Sequence, residues 1–180
     1  FVLNISINNT GQSRSYYTNQ TFELPSSWSA NPNNFIYGNL TTGSYRYNIS
    51  TITIPKATQP GTYLVNATVN WLNPNNTVST NRSIITVTVT SNPVIDIVQS
   101  SLSMIVKHGG SNSTYFTLNS TGNTQISNIN ISCVYGNCTN LSISFNESSI
   151  TSLDVLNTRF INVSSSAPLG FSPGDYIITI

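Results

Sequence analysis

Pro60-Gly61-Thr62-Tyr63-Leu64-Val65 and Pro173-Gly174-Asp175-Tyr176-Ile177-Ile178 are two copies of one six-residue pattern. In each, Pro-Gly supplies a turn, and a Tyr stands at the start of a run rich in β-branched residues. Such a run reads as a strand, and Pro-Gly as the turn leading into it. The Tyr is placed to anchor the corner where the turn becomes a strand. Two copies 113 residues apart predict two modules of one architecture.

Working outward from this pair, alternation of apolar and polar residues recurs along the chain. It marks 1–7, 45–54, 63–72, 83–90, 115–119, 126–134, 141–145, 159–164 and 176–180. Turn signals separate these runs: Asn-Pro-Asn-Asn at 31–34 and again at 73–76, Gly-Ser at 43–44, Gly-Gly at 109–110 and Tyr-Gly-Asn at 135–137. No helical period stands out. The prediction is an all-β chain of two tandem immunoglobulin-like β-sandwich domains, since 180 residues suit two such modules. Pro-Gly-x-Tyr strands of this kind resemble the penultimate strand of many immunoglobulin-like modules in archaeal and bacterial surface proteins.

The repeat sets the register for comparing the halves. After the first copy come the loop 73–76 and a further strand, Ile84-Ile85-Thr86-Val87-Thr88-Val89-Thr90. After the second copy the sequence ends at Ile180. The second domain is therefore expected to lack its closing strand, leaving an acceptor groove edged by Tyr176, Ile178 and Ile180. Phe1-Val2-Leu3-Asn4-Ile5-Ser6-Ile7 supplies a candidate to fill it. Phe1, Leu3, Ile5 and Ile7 form one apolar face at period two. The expected division is a donor strand at 1–10, a first domain at 11–91 and an incomplete second domain at 92–180, with Ser91-Asn92-Pro93 at the boundary. Two alternatives stay open: 1–7 is the first strand of its own domain, or the sequence continues beyond Ile180.

Charged residues are only 6 % of the chain, while Asn, Ser and Thr number 26, 28 and 23. Fifteen Asn residues stand in Asn-x-Ser/Thr: Asn4, Asn8, Asn19, Asn39, Asn48, Asn66, Asn75, Asn81, Asn112, Asn119, Asn130, Asn137, Asn140, Asn146 and Asn162. Chance at this composition gives roughly six or seven such acceptors. The excess predicts covalent N-linked glycans that replace side-chain charge as the source of solubility. Alternation supports this at Asn4, Asn48, Asn66, Asn130 and Asn162, each read as pointing away from inward neighbours. At Asn48 the inward neighbours are taken to be Tyr45, Tyr47 and Ile49.

Cys133 and Cys138 are spaced for a hairpin closed by a disulfide, the alternative being two free thiols. Sequons and a paired cysteine both indicate an exported, oxidising setting. No charged-then-apolar leader and no apolar run of about 18 residues occurs, so the chain reads as mature and without a membrane span. With five acidic residues, Glu23, Asp96, Glu147, Asp154 and Asp175, acid has little to protonate, and tolerance of low pH is expected.

Other function classes find little support. His108 is the only histidine, in Lys107-His108-Gly109-Gly110, and reads as a loop residue. The five carboxylates are scattered, and no metal-ligand cluster, phosphate loop or nucleophile motif is present. No catalytic residue, metal or cofactor is assigned. The six Lys and Arg residues form no basic patch, so nucleic acid is not an expected partner. Trp28, Trp71 and the tyrosines read as core and strand-face residues rather than a sugar platform.

The apolar strand Phe1–Ile7, the incomplete carboxy-terminal sandwich, the two-module layout and the sequon density together resemble the thread-filament subunits of thermoacidophilic archaea of the Sulfolobales. Those subunits are themselves similar to bacterial chaperone–usher pilins in using donor-strand complementation. The resemblance implies an extracellular, glycosylated filament of identical subunits joined head to tail, serving adhesion or cell–cell contact through its surface glycans. The two-domain layout departs from the chaperone–usher pilins, so their assembly route is not carried over. The competing expectation is an immunoglobulin-like module of a larger surface-layer or carbohydrate-binding glycoprotein.

Overall fold

A computed structural model describes residues 1–180, which divide into two compact units, Phe1–Thr90 and Ser91–Ile180. The chain is all-β, built of antiparallel sheets that pack as β-sandwiches. No helix is long and apolar enough to cross a membrane.

The first unit contains β1 (Val2–Asn8), β2 (Ser15–Glu23), β3 (Ser29–Asn31), β4 (Asn34–Leu40), β5 (Tyr45–Thr53), β6 (Gly61–Leu72) and β7 (Val78–Val89). One sheet runs β4-β2-β6-β7 and the other β1-β5-β3. Between them Phe22, Trp28, Ile52, Val65 and Ala67 are buried, with Leu3, Ile5, Phe35 and Tyr63 packed against them. The corner tyrosine acts as its position suggests: the Tyr63 hydroxyl donates to the Gln59 carbonyl at 2.7 Å.

β2 is not among the alternating runs of the sequence, and its inward face explains why. Ser15, Thr18 and Gln20 are buried on it beside Phe22. Their polar groups are satisfied within the fold: Ser15 Oγ lies 2.9 Å from Thr18 Oγ1, and the Tyr37 hydroxyl donates to Gln20 Oε1 at 3.0 Å. A bulge between Tyr16 and Asn19, with Tyr17 at a φ of 51°, also shifts the phase.

Two expectations are corrected in this unit. Phe1–Ile7 does have a partner at home: β1 pairs antiparallel with β5, Leu3 opposite Ser50 and Ile5 opposite Asn48. The same register reverses the phase read for β5. Ser50 and Ile52 are buried, whereas Tyr45, Tyr47 and Ile49 are each more than half exposed. Asn48 thus shares the inward face with Leu3 and Ile5 and is half-buried. The physical reason is that Ser50 suits the interior by donating its hydroxyl to the Pro32 carbonyl at 2.7 Å. A polar residue so bonded lets the neighbouring aromatics face water.

The second unit contains β8 (Ile95–Ile97), β9 (Ser111–Ser120), β10 (Ile126–Asn130), β11 (Tyr135–Gly136), β12 (Ser144–Phe145), β13 (Ser149–Leu153), β14 (Thr158–Ser166) and β15 (Ile178–Thr179). Its larger sheet runs β12-β14-β9-β8, and β10-β13 and β11-β15 are separate pairs. The core is Phe116, Leu118, Ile131, Ile150, Leu153, Ile161 and Val163. Tyr176 repeats the corner contact, donating to the Ser172 carbonyl at 2.8 Å. The segments after the two corners then part ways. After Gly61 the chain forms a twelve-residue strand paired on both sides. After Gly174 only Ile178 and Thr179 are paired, so the strand expected over 176–180 is largely unformed.

Candidate functional site

The second unit holds a groove of about 1290 Å³. Its floor is Phe116, Leu141, Ile143, Val163 and Ala167 from the sandwich core and its margin. One wall is the segment 97–106, the other the carboxy-terminal segment 170–180. Small-molecule pockets usually occupy about 300–1000 Å³. This cavity is larger, and a wall of ten extended residues is about 33 Å long.

The first wall is a strand in pattern but not in pairing. Leu102, Met104 and Val106 alternate with exposed Ser101, Ser103 and Ile105. Leu102 and Met104 pack against the core, yet residues 98–110 belong to no sheet. The backbone bonds of this stretch lie at its ends: Val98 N–H donates to the Thr117 carbonyl, and Gly110 N–H to the Lys107 carbonyl. The peptide groups of 100–104 are left without strand partners, although an edge beside an apolar floor favours pairing.

The second wall carries the three residues expected at the acceptor edge. Tyr176, Ile178 and Ile180 all line the groove, while Ile177 between them is 83 % exposed. This wall is held by the cysteine loop, which is not the expected hairpin, because its two strand residues pair with β15 rather than with each other's flanks. Cys133 and Cys138 form a disulfide with Cα atoms 5.9 Å apart. Within that loop Tyr135 pairs with Thr179 and Gly136 with Ile178, and Val134 N–H donates to the Thr179 carbonyl at 2.8 Å. Gly136 has a φ of 94°, and a Cβ there would stand 2.2 Å from the Ile177 carbonyl oxygen. Only glycine permits so close an approach in that conformation. The cysteine spacing predicts only a hairpin closed by a disulfide; the signal for this wider contact is Gly136 itself, between the cysteines.

The only side chains with ionisable acid or imidazole groups on the groove are His108 and Asp175. His108 lies in a turn, and its Nε2 accepts a bond from Gly170 N–H, which ties the rim. Apart from His108 and Asp175, the groove is lined by apolar side chains and by neutral polar ones, Gln99, Ser101, Ser103 and Ser165 among them. In the first unit, β1 carries no charged side chain over residues 1–8, has one face of Leu3, Ile5 and Ile7, and is paired along one edge only, with β5. Phe1, on the same face, is 48 % exposed.

The sequons fall mainly on the surface. Asn48, Asn66, Asn119 and Asn137 are half-buried, and the other eleven are exposed. Asn66 is further constrained: its Nδ2 donates to Glu23 at 3.3 Å, and its Oδ1 is buried without a partner. The carboxylates remain scattered, and no group of three or more His, Cys, Asp or Glu residues is assembled. Trp28 is core, while Trp71 is half-buried and donates to Asn73 Oδ1 at 3.0 Å.

No family model matches the chain, and no curated protein matches it. Among solved structures it is similar to a protein of unknown function from Porphyromonas gingivalis W83, at 14 % identity and a TM-score of 0.36. That similarity covers 92 % of this chain and 74 % of the other.

Proposed function

We propose that the protein is the structural subunit of an extracellular, N-glycosylated filament, in which residues 1–8 of one copy enter the groove of the next. The observation that carries this reading is the groove itself: two unpaired edges over a largely apolar floor, matched by a strand with no charged side chain and one apolar face. Strand addition satisfies the free peptide groups and covers the floor together. Donor and acceptor are different surfaces, so the contact is head to tail and propagates into an open filament. Adhesion or cell–cell contact through surface glycans is the corresponding role.

Home pairing of β1 shapes the energetics. The strand is already ordered on β5, so donation incurs little new ordering cost. Leu3, Ile5 and Ile7 exchange one half-buried site for another. The gain comes from the acceptor's part-exposed side chains, Leu141 and Ile143 on the floor and Leu102, Met104, Ile178 and Ile180 on the walls. Each is worth a fraction of the roughly 1.5–3 kcal/mol of full burial, since Phe116 and Val163 are already buried. The opposing term is local: a strand tethered to its own β5 meets it at an effective concentration of about millimolar.

One observation favours a second reading, an immunoglobulin-like module of a larger surface glycoprotein. β1 already completes a sheet in its own unit, so the groove would be filled by another segment. Negative-stain microscopy separates the two. Native chains should form filaments, and an excess of a synthetic peptide of residues 1–9 should shorten them by capping the groove. Dispersed particles without peptide contradict the filament.

A further inference from the structure

Asn162 on β14 and Tyr115 on β9 stand directly opposite each other. Asn162 N–H donates to Asn146 Oδ1 at 2.7 Å, and its carbonyl accepts from Asn146 N–H at 3.1 Å. Both backbone groups therefore point away from β9, which makes Asn162–Tyr115 a non-hydrogen-bonded pair. In such pairs the Cα atoms are about 4.5 Å apart and the side chains are closest. Tyr115 is 55 % exposed and Phe160, two residues before Asn162, is 65 % exposed. Their rings meet edge to face with centroids 6.1 Å apart. An exposed aromatic pair thus lies beside an exposed amide that stands in an acceptor sequence, and that amide's Nδ2 makes no bond within the chain.

We infer that the first sugar on Asn162 lies across the Tyr115–Phe160 pair, so that this sequon covers an apolar patch as well as adding polar surface. The inference rests on the reading that the sequons carry glycans. The chemistry is direct: one face of a pyranose is made of C–H groups and packs on an aromatic face, while its hydroxyls remain in water. Contiguous exposed apolar surface otherwise marks a site of association or aggregation. The arrangement recurs in the first unit, where Asn19 stands opposite Ile36, which is 82 % exposed. While β1 rests on β5, Asn4 stands opposite Ile49 and Asn8 opposite Tyr45. Outward apolar positions on these strands are therefore placed where a neighbouring glycan reaches them.

The test compares the glycosylated native chain with Asn162→Gln and with Ser164→Ala, which keeps the asparagine but removes the acceptor sequence. Peptide mass mapping first reads occupancy of Asn162. Tetranitromethane then reads the accessibility of Tyr115. The expected result is an occupied Asn162 and a Tyr115 nitrated several-fold more slowly in the native chain than in either variant, all three having the same circular dichroism. An occupied Asn162 with equal nitration rates overturns the packing while leaving the sugar coat intact. An unmodified Asn162 overturns the inference at its premise.

Discussion

Phe1 and Ile52 exchange both of their backbone hydrogen bonds, the Phe1 amino group donating to the Ile52 carbonyl and the Ile52 N–H to the Phe1 carbonyl, each at 2.8 Å. This pair fixes the β1–β5 register at the very start of the strand. Alternation then makes Val2–Thr51, Asn4–Ile49 and Ser6–Tyr47 the close, non-hydrogen-bonded pairs. It also turns Leu3 and Ile5 against the core of the first unit. The segment proposed to leave is therefore also a structural strand, and its variants act in two places.

Leu3→Ala should lower the stability of the first unit by about 1–2 kcal/mol, less than the 2–5 kcal/mol of a fully buried site. Urea unfolding followed by tryptophan fluorescence measures it, because Trp28 is in that core. Ile36→Ala, at an 82 % exposed position, should leave the midpoint unchanged. An unchanged midpoint for Leu3→Ala would mean that β1 is not held on β5.

Gly136→Ala should displace the carboxy-terminal wall of the groove. A methyl group at that site meets the Ile177 carbonyl, and the backbone there is left-handed. The strain is on the order of 1–3 kcal/mol. Cys133→Ser with Cys138→Ser removes the loop closure, worth roughly 2–3 kcal/mol for so short a loop. Both changes should weaken assembly, read by sedimentation, while leaving the first unit's unfolding midpoint unaltered. Normal assembly from both would show that this wall does not form part of the contact.

Intact mass should exceed 19.5 kDa by many sugar units. Site mapping should find the lowest occupancy at Asn48, which faces inward, and Asn66, whose amide nitrogen is engaged by Glu23. A mass equal to the bare chain would remove the glycan argument.

Acid should change the fold little. Glu23 and Arg82 form the one ion pair, at 3.2 Å with both side chains at least half exposed. Exposed pairs of this kind contribute about 0–1 kcal/mol. Protonating the five carboxylates therefore removes little, and far-ultraviolet circular dichroism should be unchanged from neutral pH to about pH 2. A cooperative acid transition would contradict this.

The legible part of the fold was the part written in period two. The inward Val65 and Ala67, the inward Ile161 and Val163 and the apolar face of 1–7 follow from alternation, and the corner tyrosines from the Pro-Gly-x-Tyr repeat. β2 was hidden because its inward residues are Ser15, Thr18 and Gln20, bonded to one another or to Tyr37. β5 was read out of phase because its aromatics face water and Ser50 faces the core. Of the groove, the edge residues Tyr176, Ile178 and Ile180 were readable from the repeat. The opposite wall at 97–106 was not among the alternating runs, and even its alternation of Leu102, Met104 and Val106 with Ser101, Ser103 and Ile105 does not show whether its edges are paired. Nor did spacing alone show that Gly136 lies against Ile177, since that contact joins segments some forty residues apart.

The most direct test fixes β1 where it rests. Val2→Cys with Thr51→Cys joins two outward positions of a close cross-strand pair, without touching Leu3, Ile5 or the groove. Under mild oxidation the double variant and the two single variants are compared with the native chain by negative-stain microscopy. Filaments are expected from the native chain and both single variants, and none from the cross-linked double variant. Filaments of normal length from a fully cross-linked sample would contradict strand donation, because the strand would be in its own sheet while the polymer formed.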